Sequence, residues 1–264
     1  MHLASHNVKE FWNTAWATQK TGWKEWERLA SFTHVLSAFL RCAGLLPAEE
    51  QTEEGSQKGD LHEAVIRFLE GKTVFVPLCG DSTILPYIVS CRARHVIGVD
   101  LSDEALTRQR QVNFPDLIFK TTKLDSAKGS TGKVEMHEVT TGDCRITLFY
   151  GDLMELPLFK EYSETAVDFV FDRAAMMAIP PDLRSVYVKT VTSVLRPSAG
   201  VAYERMVRKI PQQRDWGPPF MVAMDEVLQM FRQYTGRDYK ATLTMTHELE
   251  DNFRSEWYAI LPQR

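Results

Sequence analysis

Two residues twenty positions apart have the types and spacing needed to bind a nucleoside. Gly80 follows the apolar run at residues 73–78, and a glycine in such a turn lets a ligand approach the backbone. Asp100 ends the next apolar run, where a carboxylate can accept hydrogen bonds from ribose hydroxyls. The turn has one glycine rather than G-x-G-x-x-G, so the pair favours a nucleoside without a bound pyrophosphate. The structural alternatives are an ordinary turn and a carboxylate beside a helix cap at Ser102.

Two further segments carry polar side chains directly after apolar runs. Asp152 can accept a hydrogen bond from the exocyclic amine of an adenine, while Leu153 packs on the ring. Arg173 follows the apolar run at 167–171, and its permanent charge suits a carboxylate. The alternative for Arg173 is a local salt bridge. Sites for ribose, adenine and carboxylate, without one for pyrophosphate, together fit S-adenosylmethionine.

Other chemistries lack their motifs. The sequence has no H-E-x-x-H, G-x-S-x-G or G-x-x-x-x-G-K-[ST], which argues against metal hydrolases, serine hydrolases and P-loop enzymes. Cys79 has no evident His partner, so we interpret it as packed beside the turn rather than as a nucleophile. The four cysteines form no C-x-x-C pair, so no metal site is expected and a reducing, cytoplasmic location is favoured.

Composition and charge exclude further classes of partner. The formal net charge is −4 and the pI is about 6.0, which argues against a nucleic-acid-binding protein. No apolar run approaches the roughly 20 residues that span a bilayer, so no membrane partner is expected. The sequence shows no coiled-coil seam, which favours a monomer.

The elements that must position these residues alternate between helix and strand. Short apolar strands separated by helices predict an α/β, Rossmann-like fold, with a mostly parallel central sheet and helices on both faces. Residues 239–246 and 256–261 predict a C-terminal antiparallel strand pair, and residues 114–132 predict a loop. We expect one domain over residues 1–264, with a tryptophan-rich N-terminal arm at 1–28 and an exposed acidic loop at 47–60.

Four motifs in order resemble the thiopurine S-methyltransferase family over most of the chain. They are Trp12-x-x-x-Trp16 with Thr21-Gly22-Trp23, then Pro77-Leu78-Cys79-Gly80, then Asp172-Arg173-Ala174-Ala175, and finally Gly217-Pro218-Pro219-Phe220. Each motif is weak alone, but four in this order are specific. The chain departs from the family at Asp81, where a Lys is frequent, and at Asp100, where a Glu is frequent.

The resemblance implies a class I methyltransferase that moves a methyl group from S-adenosylmethionine to the sulfur of an aromatic or heterocyclic thiol. Around the cofactor it places Trp12, Trp16, Leu78, Gly80, Asp100, Asp152, Leu153 and Arg173. It also gives Arg173 a positioning and electrostatic role in catalysis, without a general base. In the acceptor pocket it places Trp23, Pro219 and Arg254. The N-terminal tryptophans would form a lid, the alternative being that they anchor a helix in the core.

Three other functions remain open on the sequence. The first is methylation of small nucleophiles such as halide, thiocyanate or hydrosulfide, which would use the same cofactor half. The second is a non-catalytic protein that binds S-adenosylmethionine, although such a protein would not need an acceptor pocket. The third is an NAD-dependent oxidoreductase, which the single-glycine turn disfavours.

Overall fold

The computed structural model describes residues 5–18, 31–47, 57–125, 133–210, 217–249 and 252–263. The strands in these ranges are β1 Thr73–Val76, β2 His95–Asp100, β3 Lys120–Leu124, β4 Val134–Thr141, β5 Cys144–Tyr150, β6 Val167–Arg173, β7 Leu195–Arg208, β8 Tyr239–Glu248 and β9 Phe253–Pro262. The α-helices are α1 Ser5–Ala17, α2 Phe32–Cys42, α3 Gln57–Leu69, α4 Ile84–Ser90, α5 Asp103–Arg108, α6 Lys160–Ser163, α7 Ala175–Ala178, α8 Arg184–Thr192 and α9 Met224–Thr235.

All of these strands join one sheet in the order β3-β4-β5-β2-β1-β6-β7-β9-β8. The central strands β5, β2, β1, β6 and β7 are parallel, and antiparallel strands flank them on both sides. The predicted α/β fold and its C-terminal antiparallel pair are therefore confirmed. The chain builds outward from β1 to β2 on one side and from β6 to β7 on the other. The topological switch point, where such sheets bind ligands, consequently lies between β1 and β6.

The sheet is covered on both faces, which explains the continuously apolar central strands. Along β1, Val74 and Phe75 are fully buried in opposite core layers. Leu36 of α2 and Val65 of α3 pack in the layer of Val74, whereas Val188 of α8 packs in the layer of Phe75. A strand buried on both faces needs apolar residues at every position, and alternation is lost.

The predicted loop at residues 114–132 is wrong in part, because it contains β3. This strand pairs antiparallel with β4, with Lys120 opposite Glu138 and Leu124 opposite Val134. Its sequence is KTTKL, and it forms the outer edge of the sheet with largely exposed side chains. A polar edge strand has no apolar periodicity, so backbone pairing with a neighbour decides its conformation.

Two predicted features extend beyond the described ranges. Residues 48–56 of the acidic loop and 19–28 of the tryptophan-rich arm, including Trp23, lie outside them. Of the helices that the structure describes, none has the length and apolar character needed to cross a membrane.

Candidate functional site

A cavity of about 370 Å³ lies at the carboxyl ends of the parallel strands, which is within the usual size of a small-molecule site. The turn after β1, the end of β2, the turn after β5 and the end of β6 all contribute to its wall. The predicted site residues that line it are Trp12, Trp16, Leu78, Asp100, Asp152, Leu153, Arg173 and Pro219. The fold thus brings together residues that are up to about two hundred positions apart in the chain.

Asp100 is buried at the end of β2 and is held by backbone amides. Its Oδ2 accepts from the amide of Gly80 at 2.9 Å, and its Oδ1 accepts from the amide of Ser102 at 2.9 Å. Burial raises the pKa of this carboxyl to about 6, although the backbone hydrogen bonds oppose the shift. Gly80, which was predicted to bind the cofactor, does not line the cavity. Its amide instead donates to Asp100, which does.

The turn after β1 carries a strained residue. Leu78 lines the cavity with φ at +46°, a left-handed conformation that costs an L-residue on the order of 1 kcal/mol. The next residue, Cys79, is buried, and its amide donates to the carbonyl of Val99 at 2.9 Å. Burial and the nearby Asp100 carboxylate raise the pKa of the Cys79 thiol well above its usual value, so the thiol stays protonated at neutral pH.

Asp81, where the chain departs from the family pattern, forms an ion pair. Its Oδ2 lies 3.0 Å from Nε of Arg108 in α5, and its side chain is largely buried. Asn113 donates to the carbonyl of Asp81 at 2.9 Å. The turn after β1 is therefore tied to α5 and to the π-helical turn that follows it.

Asp152 and Leu153 follow β5 on the same edge of the sheet. Oδ1 of Asp152 accepts from the amide of Met154 at 2.9 Å and so caps the 3₁₀ turn Leu153–Leu158. Among the residues with described contacts, none donates to the other carboxylate oxygen. Leu153 is 2% exposed and belongs to the core, but it also lines the cavity.

Arg173 has a buried carboxylate partner. Its Nε lies 3.4 Å from Oε2 of Glu204, and the two side chains are 9% and 5% exposed. Ser255 also donates to Glu204, at 2.5 Å. Burial raises the pKa of Glu204, and the charge of Arg173 counters this shift. The salt-bridge alternative for Arg173 is thus present in the structure, although the same residue lines the cavity.

The neighbouring Asp172 shapes the wall without lining it. Its Oδ1 accepts from the amide of Ala175 at 3.1 Å, and its Oδ2 accepts from the hydroxyl of Tyr187 at 2.6 Å. Burial raises its pKa to about 6, although the hydrogen bond from Tyr187 opposes the shift. Asp172 thereby fixes the start of α7, which supplies Ala175 and Met177 to the cavity.

Helix α1 forms one side of the cavity. Trp12 and Trp16 are four positions apart, so they lie on the same face of the helix, and both line the cavity with Phe11. Trp16 is 4% exposed, and Phe11 meets Trp12 edge to face with 5.1 Å between ring centroids. The predicted arm therefore contacts the cavity at these positions.

One group of residues in the cavity wall is almost entirely apolar. Side chains of α7, the following turn and the Gly-Pro-Pro-Phe segment form it, namely Met177, Ala178, Ile179, Pro180, Leu183, Pro218 and Pro219. Phe11 and Trp12 face the same cavity.

Arg254, predicted in the acceptor pocket, lies in β9 and is not in the cavity wall. Its Nη2 bonds Oε1 of Glu256 at 2.6 Å.

Several residues of the cavity wall were not predicted from the sequence. Leu101 and Met154 directly follow predicted site residues, so their positions after Asp100 and Leu153 carried a signal. Ile179 is an ordinary apolar residue in the sequence, and only the packing of α7 against the cavity reveals it.

Comparisons with known proteins agree with this architecture. The thiopurine S-methyltransferase family model matches residues 56–258. A thiopurine S-methyltransferase of Aliivibrio salmonicida is 30% identical over 84% of this chain and 82% of its own length. One of Vibrio campbellii is 27% identical over 92% of this chain and 88% of its own length.

A solved structure shares the fold at low identity. Magnesium protoporphyrin IX methyltransferase of Synechocystis PCC 6803, with bound S-adenosylhomocysteine, superposes with a TM-score of 0.54 at 12% identity, over 97% of this chain and 100% of that one. The family match covers most of the chain and includes three of the four sequence motifs. The chain therefore belongs to the thiopurine S-methyltransferase family, and it is an S-adenosylmethionine-dependent S-methyltransferase.

Proposed function

We propose that the methyl acceptor is the sulfur of an aromatic or heterocyclic thiol. The observation that carries this proposal is the apolar part of the cavity wall, which Met177, Ile179, Leu183 and Pro219 form in the same cavity as the rings of α1. A flat ring gains from burial against such a surface, and aromatic neighbours add a preference for stacked or edge-on contact.

The residues at the polar end of the cavity suit S-adenosylmethionine. Asp100 and Asp152 offer carboxylate oxygens to the hydroxyls of a ribose and the amine of an adenine, and Leu101 and Leu153 supply apolar surface for the ring. We propose that Leu78 and Gly80 shape the turn beneath the cofactor and that Trp12 and Trp16 cover it. In this proposal Arg173 faces the carboxylate of the methionine moiety while it keeps its contact with Glu204.

When bound, the cofactor would supply a methyl group on a positively charged sulfur, and in-line attack of an acceptor thiolate on the methyl carbon would release S-adenosylhomocysteine as a neutral thioether. No described side chain has to move a proton if the acceptor is ionised in solution, since the thiolate is the attacking form. The residues of this chain therefore contribute by orienting the two reactants and by excluding water.

The wall offers little net positive charge to a small anion. Among the described residues, no Lys or Arg besides Arg173 lines the cavity, and Arg173 is paired with the buried Glu204. A halide or thiocyanate would have to lose its water in a largely apolar space where the sulfonium of the cofactor is the main compensating charge, and it would gain little from the apolar surface. Methylation of small anions is therefore the second candidate.

The affinity for S-adenosylhomocysteine is expected to fall as the pH decreases through about 6. Below that value Asp100 becomes protonated, and a protonated carboxyl cannot accept from the amides of Gly80 and Ser102 and from ribose hydroxyls at all of its oxygen sites. Calorimetric titration between about pH 5 and 7.5 checks this.

The Asp100→Asn variant provides the control, because its affinity should be flat over the same range. The free energy of unfolding of the wild-type protein should change with pH in the direction opposite to its affinity. The folded-state pKa of Asp100 lies above its ordinary value, so this group loses stabilising free energy as the pH rises through 6. A wild-type affinity that does not change with pH would contradict the role of the ionised carboxylate.

The acceptor is tested by a competition of acceptor classes in one preparation. Turnover is measured with a thiopurine, a substituted thiophenol, a simple alkyl thiol, iodide and thiocyanate. Preference for the two aromatic thiols supports the proposal, and turnover confined to the anions supports the second candidate. Tight binding of S-adenosylhomocysteine without turnover of any acceptor would indicate a binding protein.

We further propose a single-domain protein that acts as a cytoplasmic monomer. Cys42, Cys79, Cys91 and Cys144 are all free thiols in the structure, and free cysteines are typical of a reducing compartment. Light scattering on the purified protein gives its oligomeric state.

A further inference from the structure

The segment that carries Pro218 and Pro219 into the cavity wall is packed closely onto itself. A Cβ added to Gly217 would lie 2.2 Å from Cδ1 of the Phe220 ring, so the ring occupies the space that a larger residue would need. Phe220 is 3% exposed, and its amide donates to the carbonyl of Met177 in α7 at 2.8 Å. This bond joins the segment to α7, which contributes to the same part of the cavity wall.

Arg184, the first residue of α8, bonds the backbone of Met221, the residue that follows Phe220. Its Nη2 donates to the carbonyl of Met221 at 2.7 Å, and its side chain is 5% exposed. Nη1 lies 3.4 Å from Oε1 of Glu226 in the first turn of α9. The buried guanidinium of Arg184 therefore donates to a backbone carbonyl of this segment, and the carboxylate of Glu226 offsets its charge.

Arg205 of β7 bonds the backbone of Val222, the residue that follows Met221. Its Nη1 donates to the carbonyl of Val222 at 3.1 Å, and its Nε bonds Oε2 of Glu256 in β9 at 2.8 Å. Burial raises the pKa of Glu256, but hydrogen bonds from Tyr258 and Arg205 outweigh it and hold the pKa below its usual value. Glu256 is therefore a charged, buried anchor for Arg205.

Arg254 belongs to the same network. It bonds Oε1 of Glu256, whereas Arg205 and Tyr258 bond Oε2. The path from Arg254 to the cavity thus runs through Glu256, Arg205 and the carbonyl of Val222. This path explains how Arg254 can influence the acceptor end of the cavity without lining it.

We infer that Arg184 and Arg205 are positioning residues that clamp two consecutive carbonyls, those of Met221 and Val222, and thereby fix Pro218 and Pro219 at the acceptor end of the cavity. Among the described residues, the bonds of the clamp do not reach the turns after β1, β2 or β5, which carry Leu78, Asp100 and Asp152 of the proposed cofactor site. The effect of the clamp on catalysis rests on the proposed function, since it supposes an acceptor that fills the acceptor end.

Hydrogen exchange tests the clamp without any acceptor. Exchange of the Phe220 amide, which donates to the carbonyl of Met177, should become about tenfold faster in Arg184→Lys and in Arg205→Lys, since each variant weakens one charged hydrogen bond to the segment. Arg237→Lys is the matched control, because Arg237 also donates to a carbonyl, that of Pro197 at 2.7 Å, but on the exposed surface. Unchanged exchange in both clamp variants would overturn the inference.

Steady-state kinetics with a substituted thiophenol tests the consequence. The KM for the acceptor should rise about tenfold in both clamp variants while the dissociation constant of S-adenosylhomocysteine stays within about twofold of wild type. An equal loss of cofactor affinity would contradict the inference, because the segment would then not act on the acceptor end alone. A wild-type protein that methylates no aromatic thiol would refute the proposed function instead, and the exchange experiment would still decide the clamp.

A double-mutant cycle tests whether Arg254 acts through the clamp, and Arg184→Lys tests the clamp by itself if Arg205→Lys folds poorly. Arg254→Gln alone should raise the acceptor KM by a smaller factor, since Arg254 is itself partly exposed and bonds only Oε1 of Glu256. In the Arg205→Lys background it should add little, because both residues act through Glu256. Independent, additive effects would show that Arg254 does not act through Glu256 and would remove it from the clamp.

Discussion

Replacing Asp100 with alanine is expected to weaken binding of S-adenosylhomocysteine by about 1–3 kcal/mol, through lost hydrogen bonds to a charged group. The effect should be large because the carboxylate has two tasks. It faces the cavity, and it orders the turn after β1 by accepting from the amide of Gly80. In the variant, the amides of Gly80 and Ser102 lose their acceptor in a buried environment.

Calorimetric titration of the folded variant checks this result. Asp103→Ala is a suitable control, since Asp103 is an exposed carboxylate in the first turn of α5 and does not line the cavity. Its affinity should match that of the wild type. If Asp100→Ala binds as tightly as wild type, Asp100 does not hold the ribose.

Gly98→Ala is expected to destabilise the fold by about 1–3 kcal/mol, the usual cost of overpacking a core. Gly98 lies in β2, next to β1, and a Cβ there would be 2.8 Å from Sγ of Cys79, 3.0 Å from Leu148 and 3.1 Å from Leu85. Three packed side chains cannot all withdraw. Movement of Cys79 would displace the turn that holds Leu78 in the cavity wall, so cofactor affinity should also fall.

Urea denaturation gives the change in free energy of unfolding, and titration gives the affinity. Gly59→Ala is the matched control, because Gly59 lies in α3 with nothing within 4 Å of an added Cβ. That substitution should be neutral or slightly stabilising, as expected for alanine in an exposed helix. Wild-type stability in Gly98→Ala would show that the core around Cys79 can yield.

Much of the cofactor half was predictable from local sequence. Apolar runs that end in Gly80, Asp100 and Asp152 predicted strands followed by ligand-facing turns, and the structure places both carboxylates in one cavity. Such inference works because parallel strands present their carboxyl ends at a common edge, whatever the details of packing. The β3 strand was missed because an exposed edge strand carries no apolar periodicity.

The ion pairs of the arginines depended on tertiary structure. The sequence indicates that Arg173 and Arg205 carry charge, but not which carboxylates offset it. Folding places Glu204 beside Arg173 and Glu256 beside Arg205, over distances in the chain that no local pattern encodes, whereas Arg254 bonds Glu256 within the same strand. The family, the fold and the acidic residues at the strand ends could be predicted, since these depend on the order of residues along each strand and turn. Which arginines line the cavity and which support its wall could be seen only in the folded protein, because that difference depends on the distances between charged side chains from different strands.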